Sequence, residues 1–192
     1  LDFNGKSVID VGCGVGHLAQ FFTRNNCQVF CIDGRKDNIS SLRLRYPNLK
    51  SKVLDVEKDD LSKYGTFDIV FCYGLLYHTK KPDFVIKNMS RICKDLLLLE
   101  TCILDYPDYD VKFVEDTPAA NQALHRIGCR PTPRFVISHL RTNGFSNIYI
   151  PRRVPNHPDF QFKYQGDRSI EKDGHLIRQI FIASRSQLAN QN

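Results

Sequence analysis

Short apolar runs rich in β-branched and aromatic residues alternate along the chain with segments whose apolar residues recur at helical spacing. Runs at 8–11, 27–33, 52–54, 67–72 and 94–101 predict five buried strands. Four consecutive leucines, Leu96, Leu97, Leu98 and Leu99, suit a strand covered on both faces. A helix opens at His17. Residues 80–93 predict an amphipathic helix with Phe84, Ile86, Met89, Ile92 and Cys93 toward the sheet. Residues 133–143 predict another, with Phe135, Val136, His139 and Leu140 on one face and Gly144 as its C′ residue. Strands at 146–150 and 178–184 follow, separated by a long loop or hairpin arm at 151–174, and residues 187–192 read as a fraying tail. Strands alternating with helices predict an α/β fold with a mostly parallel sheet.

The first strand ends in Asp10-Val11-Gly12-Cys13-Gly14-Val15-Gly16. Strand, glycine turn and helix form a ligand-binding arrangement, because glycines let backbone approach a ligand and the helix N-terminus offers free N–H groups. A dinucleotide would use Gly-x-Gly-x-x-Gly, but here the last glycine comes one residue early. Asp10 would repel a pyrophosphate and suits a cofactor bearing a positive amine. Asp33 closes the second strand before Gly34, where a carboxylate can accept from both ribose hydroxyls. Asp55-Val56 closes the third. By the rule that ligands bind at the carboxyl ends of parallel strands, Cys72, Tyr73 and Gly74 should border the cofactor, with Tyr77 and His78 on the rim.

The stretch from Val8 to Gly16, with acids at three successive strand ends, resembles motif I and its sequel in the class I S-adenosylmethionine-dependent methyltransferases. The resemblance implies a seven-stranded, mostly parallel Rossmann-like sheet with helices on both faces and an antiparallel C-terminal hairpin. It implies S-adenosyl-L-methionine as cofactor and S-adenosyl-L-homocysteine as product. Its cofactor residues would be Asp10, Gly12, Cys13, Gly14, Gly16, Asp33, Gly34, Asp55, Val56, Cys72 and Tyr73. Asp33 would take the ribose and Asp55 the adenine amino group, with the Val56 N–H facing the ring. The Asn/Asp-Pro-Pro-Tyr motif of amino-nitrogen methyltransferases is absent after strand four, which reads Cys72-Tyr73-Gly74-Leu75. Gly74-Leu75-Leu76-Tyr77-His78 is similar both to tRNA wobble-uridine (carboxy)methyltransferases and to small-molecule O-methyltransferases.

Length and composition refine this picture. A chain of 192 residues, 42% hydrophobic and 25% charged, fits one globular domain over 1–192. No apolar run approaches the roughly 18 residues of a membrane span, and no signal peptide is visible. Leu1 stands where a methionine would start a chain and little precedes the first strand, which reads as a domain of something longer. Seven cysteines without Cys-x-x-Cys or zinc spacing point to a reducing, cytoplasmic location and to no metal. The net charge of +6 is spread evenly, so a nucleic-acid partner is open but less favoured than a small-molecule acceptor.

Candidate acceptor chemistry follows strands four and five. Residues 102–133 carry five acids and four prolines and read as an irregular substrate cap. Within the cap, His125, Arg126 and Arg130 are candidates to hold an anionic group, since arginine forks suit carboxylates and phosphates. Tyr77 and Glu100 are further acceptor-side candidates. His78 is the candidate base, because histidine titrates near working pH. The expected reaction is in-line methyl transfer to a small-molecule hydroxyl. A tRNA base as acceptor, and a non-catalytic S-adenosylmethionine-binding subunit, are the alternatives.

Overall fold

The computed structural model describes residues 2–115 and 123–188. Its principal sheet has the order β3-β2-β1-β4-β5-β11-β8. These strands are β1 (Ser7–Val11), β2 (Gln28–Asp33), β3 (Lys50–Val53), β4 (Phe67–Tyr73), β5 (Cys93–Cys102), β8 (Asn147–Tyr149) and β11 (Arg178–Ser184). β1 to β5 run parallel, and β11 runs antiparallel to both β5 and β8. Strand order reverses between β1 and β4, so a crevice opens at their carboxyl ends, where open α/β sheets place ligands.

The sheet is covered on both faces. Ile9, Val11, Val70, Leu97 and Leu99 pack with α3 (Pro82–Ile92) and α4 (Pro133–Thr142). Val8, Ile69, Phe71, Leu96 and Leu98 pack with Phe22 of α1 (Ala19–Arg24), while Cys31 meets Ile39 and Leu42 of α2 (Lys36–Arg45). Capping explains where α4 stops and starts. The Thr132 hydroxyl accepts the Phe135 N–H at 3.2 Å ahead of Pro133. Gly144 (φ +90°) then turns the chain, with Phe145 N–H bonding Leu140 O and Gly144 N–H bonding Arg141 O. That pair of bonds is the Schellman arrangement.

Several expectations shift. The third strand lies at Lys50–Val53, two residues early, and Leu54 follows it into the crevice wall. α2 occupies a stretch for which the sequence had suggested no element. Phe84 is 40% exposed; its neighbour Val85 turns to the sheet instead, and Cys93 opens β5 instead of ending α3. The cap is less irregular than expected. β6 (Val111–Glu115) and β7 (Ile127–Pro131) form an antiparallel ribbon, its alternation masked by acids and prolines. Cap residues 116–122 and tail residues 189–192 lie outside the described residues. β9 (Glu171–Lys172) and β10 (His175–Leu176) form a small hairpin in the 151–174 arm and just beyond it.

Candidate active site

At the crevice, β1 ends in a glycine turn tied to β2. Gly12 and Cys13 donate to Ile32 O at 2.8 and 3.0 Å, and Gly14 N–H donates to Asp33 Oδ2 at 2.9 Å. Gly12 has φ +79°, and a Cβ there would stand 2.7 Å from Leu75 Cβ, so both the turn and the close approach of the β4 loop require glycine. Gly14 faces open space at φ +53°. Asp33 is buried and also accepts from Arg35 N–H (2.8 Å) and the Asn38 amide (3.1 Å). Its orientation is therefore fixed from three sides.

The resulting cleft has a volume of about 440 Å³. Gly12, Gly14, Asp33, Gly34, Asp55, Val56, Gly74 and His78 line it, as the sequence suggested. Val15, Asn38, Glu57, Leu75, Thr79 and Leu124 line it as well and were not foreseen. Five expected cofactor residues, Asp10, Cys13, Gly16, Cys72 and Tyr73, are not among those lining it. Cys72 points into the apolar core beneath α3, and the Tyr73 ring stacks on Phe71 at 4.4 Å between centroids. Gly16 packs on Leu42 and Tyr46 of the α2 region, and Cys13 sits in the cluster with Cys31. Their contribution is to shape the turn and strand end from behind.

Asp10 is 2% exposed, and its Oδ2 has no hydrogen-bond partner among the described residues. Burial, reinforced by the Asp33 charge, pushes its carboxyl up to about 7. A buried, unpartnered carboxylate beside a second acid is costly unless it takes up a proton or meets a cation. The α-ammonium group of S-adenosylmethionine has that charge, and the cofactor has no phosphate for the two acids to repel. The residues present fit this cofactor: Asp10 would face the ammonium end, Asp33 the ribose, and Asp55 with Val56 the adenine.

A second polar cluster lies behind Gly74. Glu100 pairs across the sheet with Tyr73 on one side and Ile180 on the other. It is 3% exposed, and burial pushes it up to about 7 despite the Arg178 guanidinium, which stands 3.4 Å from both carboxylate oxygens. Arg178 Nη2–H also donates to Tyr77 Oη, and Nε lies 3.4 Å from Asp159 Oδ2. Arg130 donates to Tyr77 O (3.3 Å), and the guanidiniums of Arg130 and Arg178 stand 5.4 and 5.0 Å from the Tyr77 ring centroid. Among the described residues, the buried Arg130 Nε and Glu100 Oε1 have no hydrogen-bond partner. The His78 ring lies tilted against Tyr77, 4.1 Å between centroids, linking this cluster to the cleft wall.

Of the expected acceptor residues, Tyr77, Glu100 and Arg130 thus come together. His125 instead reaches Asp55 and Glu57, and Arg126 is exposed. Arg178 was missed. Its signal was the antiparallel last strand, whose first residue must lie level with the end of β5. Burial pushes the Cys93 and Cys129 thiols up to about 12, so neither is a nucleophile at neutral pH. All seven cysteines are free thiols, and no described helix is long and apolar enough to cross a membrane.

Comparison with known proteins agrees with this geometry. Residues 9–96 match a family described as a methyltransferase domain. Curated relatives include ubiquinone biosynthesis O-methyltransferases. That of Albidiferax ferrireducens is 34% identical over 95 residues, 47% of this chain and 38% of the relative. That of Vibrio cholerae is 33% identical over 94 residues, with the same shares of 47% and 38%. The match thus spans about two-fifths of these relatives' length. Among solved structures, the N-terminal domain of EvdMO1 with S-adenosylhomocysteine bound superposes with a TM-score of 0.73. It is 22% identical, over 95% of this chain and 76% of that one. Magnesium protoporphyrin IX methyltransferase from Synechocystis PCC 6803, with S-adenosylmethionine bound, gives 0.62 at 16% identity, over 96% and 72%. These structures share the fold.

Proposed function

We propose that this chain is a class I S-adenosylmethionine-dependent methyltransferase and that it transfers a methyl group to a hydroxyl of a small-molecule acceptor. The observation that carries this reading is the unpartnered carboxylate of Asp10 beneath the glycine turn. It calls for a cationic ligand where a dinucleotide would bring anionic phosphate. S-adenosylmethionine supplies a methyl group already activated on sulfonium. What remains for the protein is alignment, exclusion of water and removal of the acceptor's proton.

Asp33 would hold the ribose, Asp55 and Val56 the adenine, and Gly12 and Gly14 the amino-acid end. Gly74 ends β4 between cleft and polar cluster, so the acceptor enters against Tyr77, Glu100, Arg130 and Arg178. His78 lines the cleft and would take the proton of the acceptor hydroxyl as that oxygen is methylated. The small-molecule O-methyltransferase relatives support an oxygen acceptor over a tRNA base. Seven unpaired cysteines support a reducing, cytoplasmic setting. The proposal takes residues 1–192 as one domain, with the described parts of the cap, 102–115 and 123–133, on the acceptor side.

The test is S-adenosylhomocysteine formation with a panel of small phenols and sugars, against bulk tRNA, for wild type and His78→Ala. Turnover on a hydroxylated small molecule, lowered about 100-fold or more in the variant with cofactor affinity kept, is expected from loss of a general base. Turnover on tRNA alone, or full turnover by the variant, would refute the acceptor class or the base respectively.

A further inference from the structure

The cap reaches the cofactor cleft at its adenine end, far along the chain from the residues that build it. After residue 122 the chain turns at Ala123, with Arg126 N–H bonding Ala123 O at 3.1 Å and Arg126 at φ +59°. This turn points His125 inward and lays the half-exposed Leu124 along the cleft wall. Leu124 lines the cleft, with its Cδ2 2.7 Å from where a Cβ on Gly34 would stand. His125, whose side chain is 15% exposed, places Nε2 2.9 Å from Asp55 Oδ2 and 3.7 Å from Glu57 Oε2. Glu57 is itself anchored, since its Oε1 accepts the Lys80 N–H at 3.0 Å.

The hydrogen-bond capacity of Asp55 is nearly filled by this arrangement. An ionised carboxylate has about four lone-pair sites. Oδ1 accepts the Glu57 N–H at 3.0 Å, while Oδ2 meets His125 and, at 3.3 Å, the exposed Lys58 ammonium. One site is left, which matches the single N–H that an adenine amino group directs at its partner.

We propose that His125 is a positioning residue of the cofactor site, holding Asp55 so that its remaining lone pair receives the adenine amino group. This rests on the S-adenosylmethionine reading of the cleft. The cap is then part of the adenosine site as well as of the acceptor site: Leu124 covers the ribose edge beside Gly34, and His125 sets the adenine contact. Sequence placed His125 with Arg126 and Arg130 as an anion holder. The geometry gives it different partners.

Calorimetric titration with S-adenosylhomocysteine and with S-inosylhomocysteine, whose purine carries oxygen in place of the amino group, tests the proposal. Wild type should prefer the first by about tenfold or more, as for a hydrogen bond to a charged group. His125→Ala should lose most of that preference, and His125→Gln, which keeps a donor, should restore part of it. A variant that weakens both ligands equally would show a merely structural role and overturn the proposal. Equal binding of both ligands by wild type would overturn the Asp55–adenine contact, and no binding of either would overturn the cofactor reading beneath it. Asp55, Glu57 and His125 are also close enough to share a cation. A melting temperature raised by Zn²⁺ or Mn²⁺ in wild type but not in His125→Ala would make them ion ligands and overturn the proposal.

Discussion

Cofactor binding should release a proton from Asp10, and the size of the effect follows from its surroundings. In the empty cleft burial and Asp33 push this carboxyl up to about 7. An ammonium group placed beside it favours the ionised form and returns it toward the ordinary carboxylate range. With the empty-site value at about 7, about half a proton leaves on binding at pH 7 and about nine-tenths at pH 6. The same linkage makes S-adenosylhomocysteine bind about tenfold more weakly at pH 6 than at pH 8, because the proton must first be displaced. Calorimetry in buffers of different ionisation enthalpy counts the protons directly. Asp10→Asn should bind more weakly at pH 8, release no proton and show a flat profile between pH 6 and 8. Proton uptake, or release unchanged in Asp10→Asn, would refute the assignment of Asp10 to the ammonium group.

Stability of the ligand-free protein should carry the same signature. Asp10 and Glu100 are both raised to about 7, so between about pH 4 and 7 the folded state holds protons that the unfolded chain has released. Stability therefore falls as pH rises through that window, and urea denaturation of Asp10→Asn should show a shallower fall. Arg178→Met leaves Glu100 buried without its cation and should cost about 3 kcal/mol by denaturation at pH 8, part of which Glu100→Gln in the same chain should restore. A double variant no more stable than Arg178→Met would argue against a coupled pair. Gly128→Ala should cost about 3 kcal/mol, since its Cβ would collide with the backbone oxygen of Tyr77 and neither strand nor turn can yield easily. Unchanged melting of that variant would contradict the close approach of β7 to the β4 loop.

Most of the sheet was legible because its strands are buried on both faces and so appear as unbroken apolar runs. Arg178–Ser184 was bounded correctly from its own residues, and β5 was recognised from four leucines. α2 was not, because only Ile39 and Leu42 of its ten residues are buried and the rest is polar. Phe84 misled because an aromatic residue in an amphipathic stretch reads as a core position, whereas Val85 takes that place. Of the acids at strand ends, Asp33 and Asp55 line the cleft, while Asp10 is buried on β1. The polar cluster around Tyr77 was legible only in part. Tyr77 and Glu100 lie on neighbouring strand ends, but Arg178 joins them from about 80 residues further on through an antiparallel pairing. His125 reaches Asp55 from 70 residues away through a turn at positive φ, a contact that no local pattern encodes.

The central claim is that this cleft holds S-adenosylmethionine through its strand-end acids. Equilibrium dialysis with radiolabelled S-adenosylmethionine, with NAD as competitor, tests it on wild type and Asp33→Ala. The account predicts saturable binding by wild type, untouched by NAD and abolished in Asp33→Ala. Absence of binding, displacement by NAD, or full binding by the variant would contradict it.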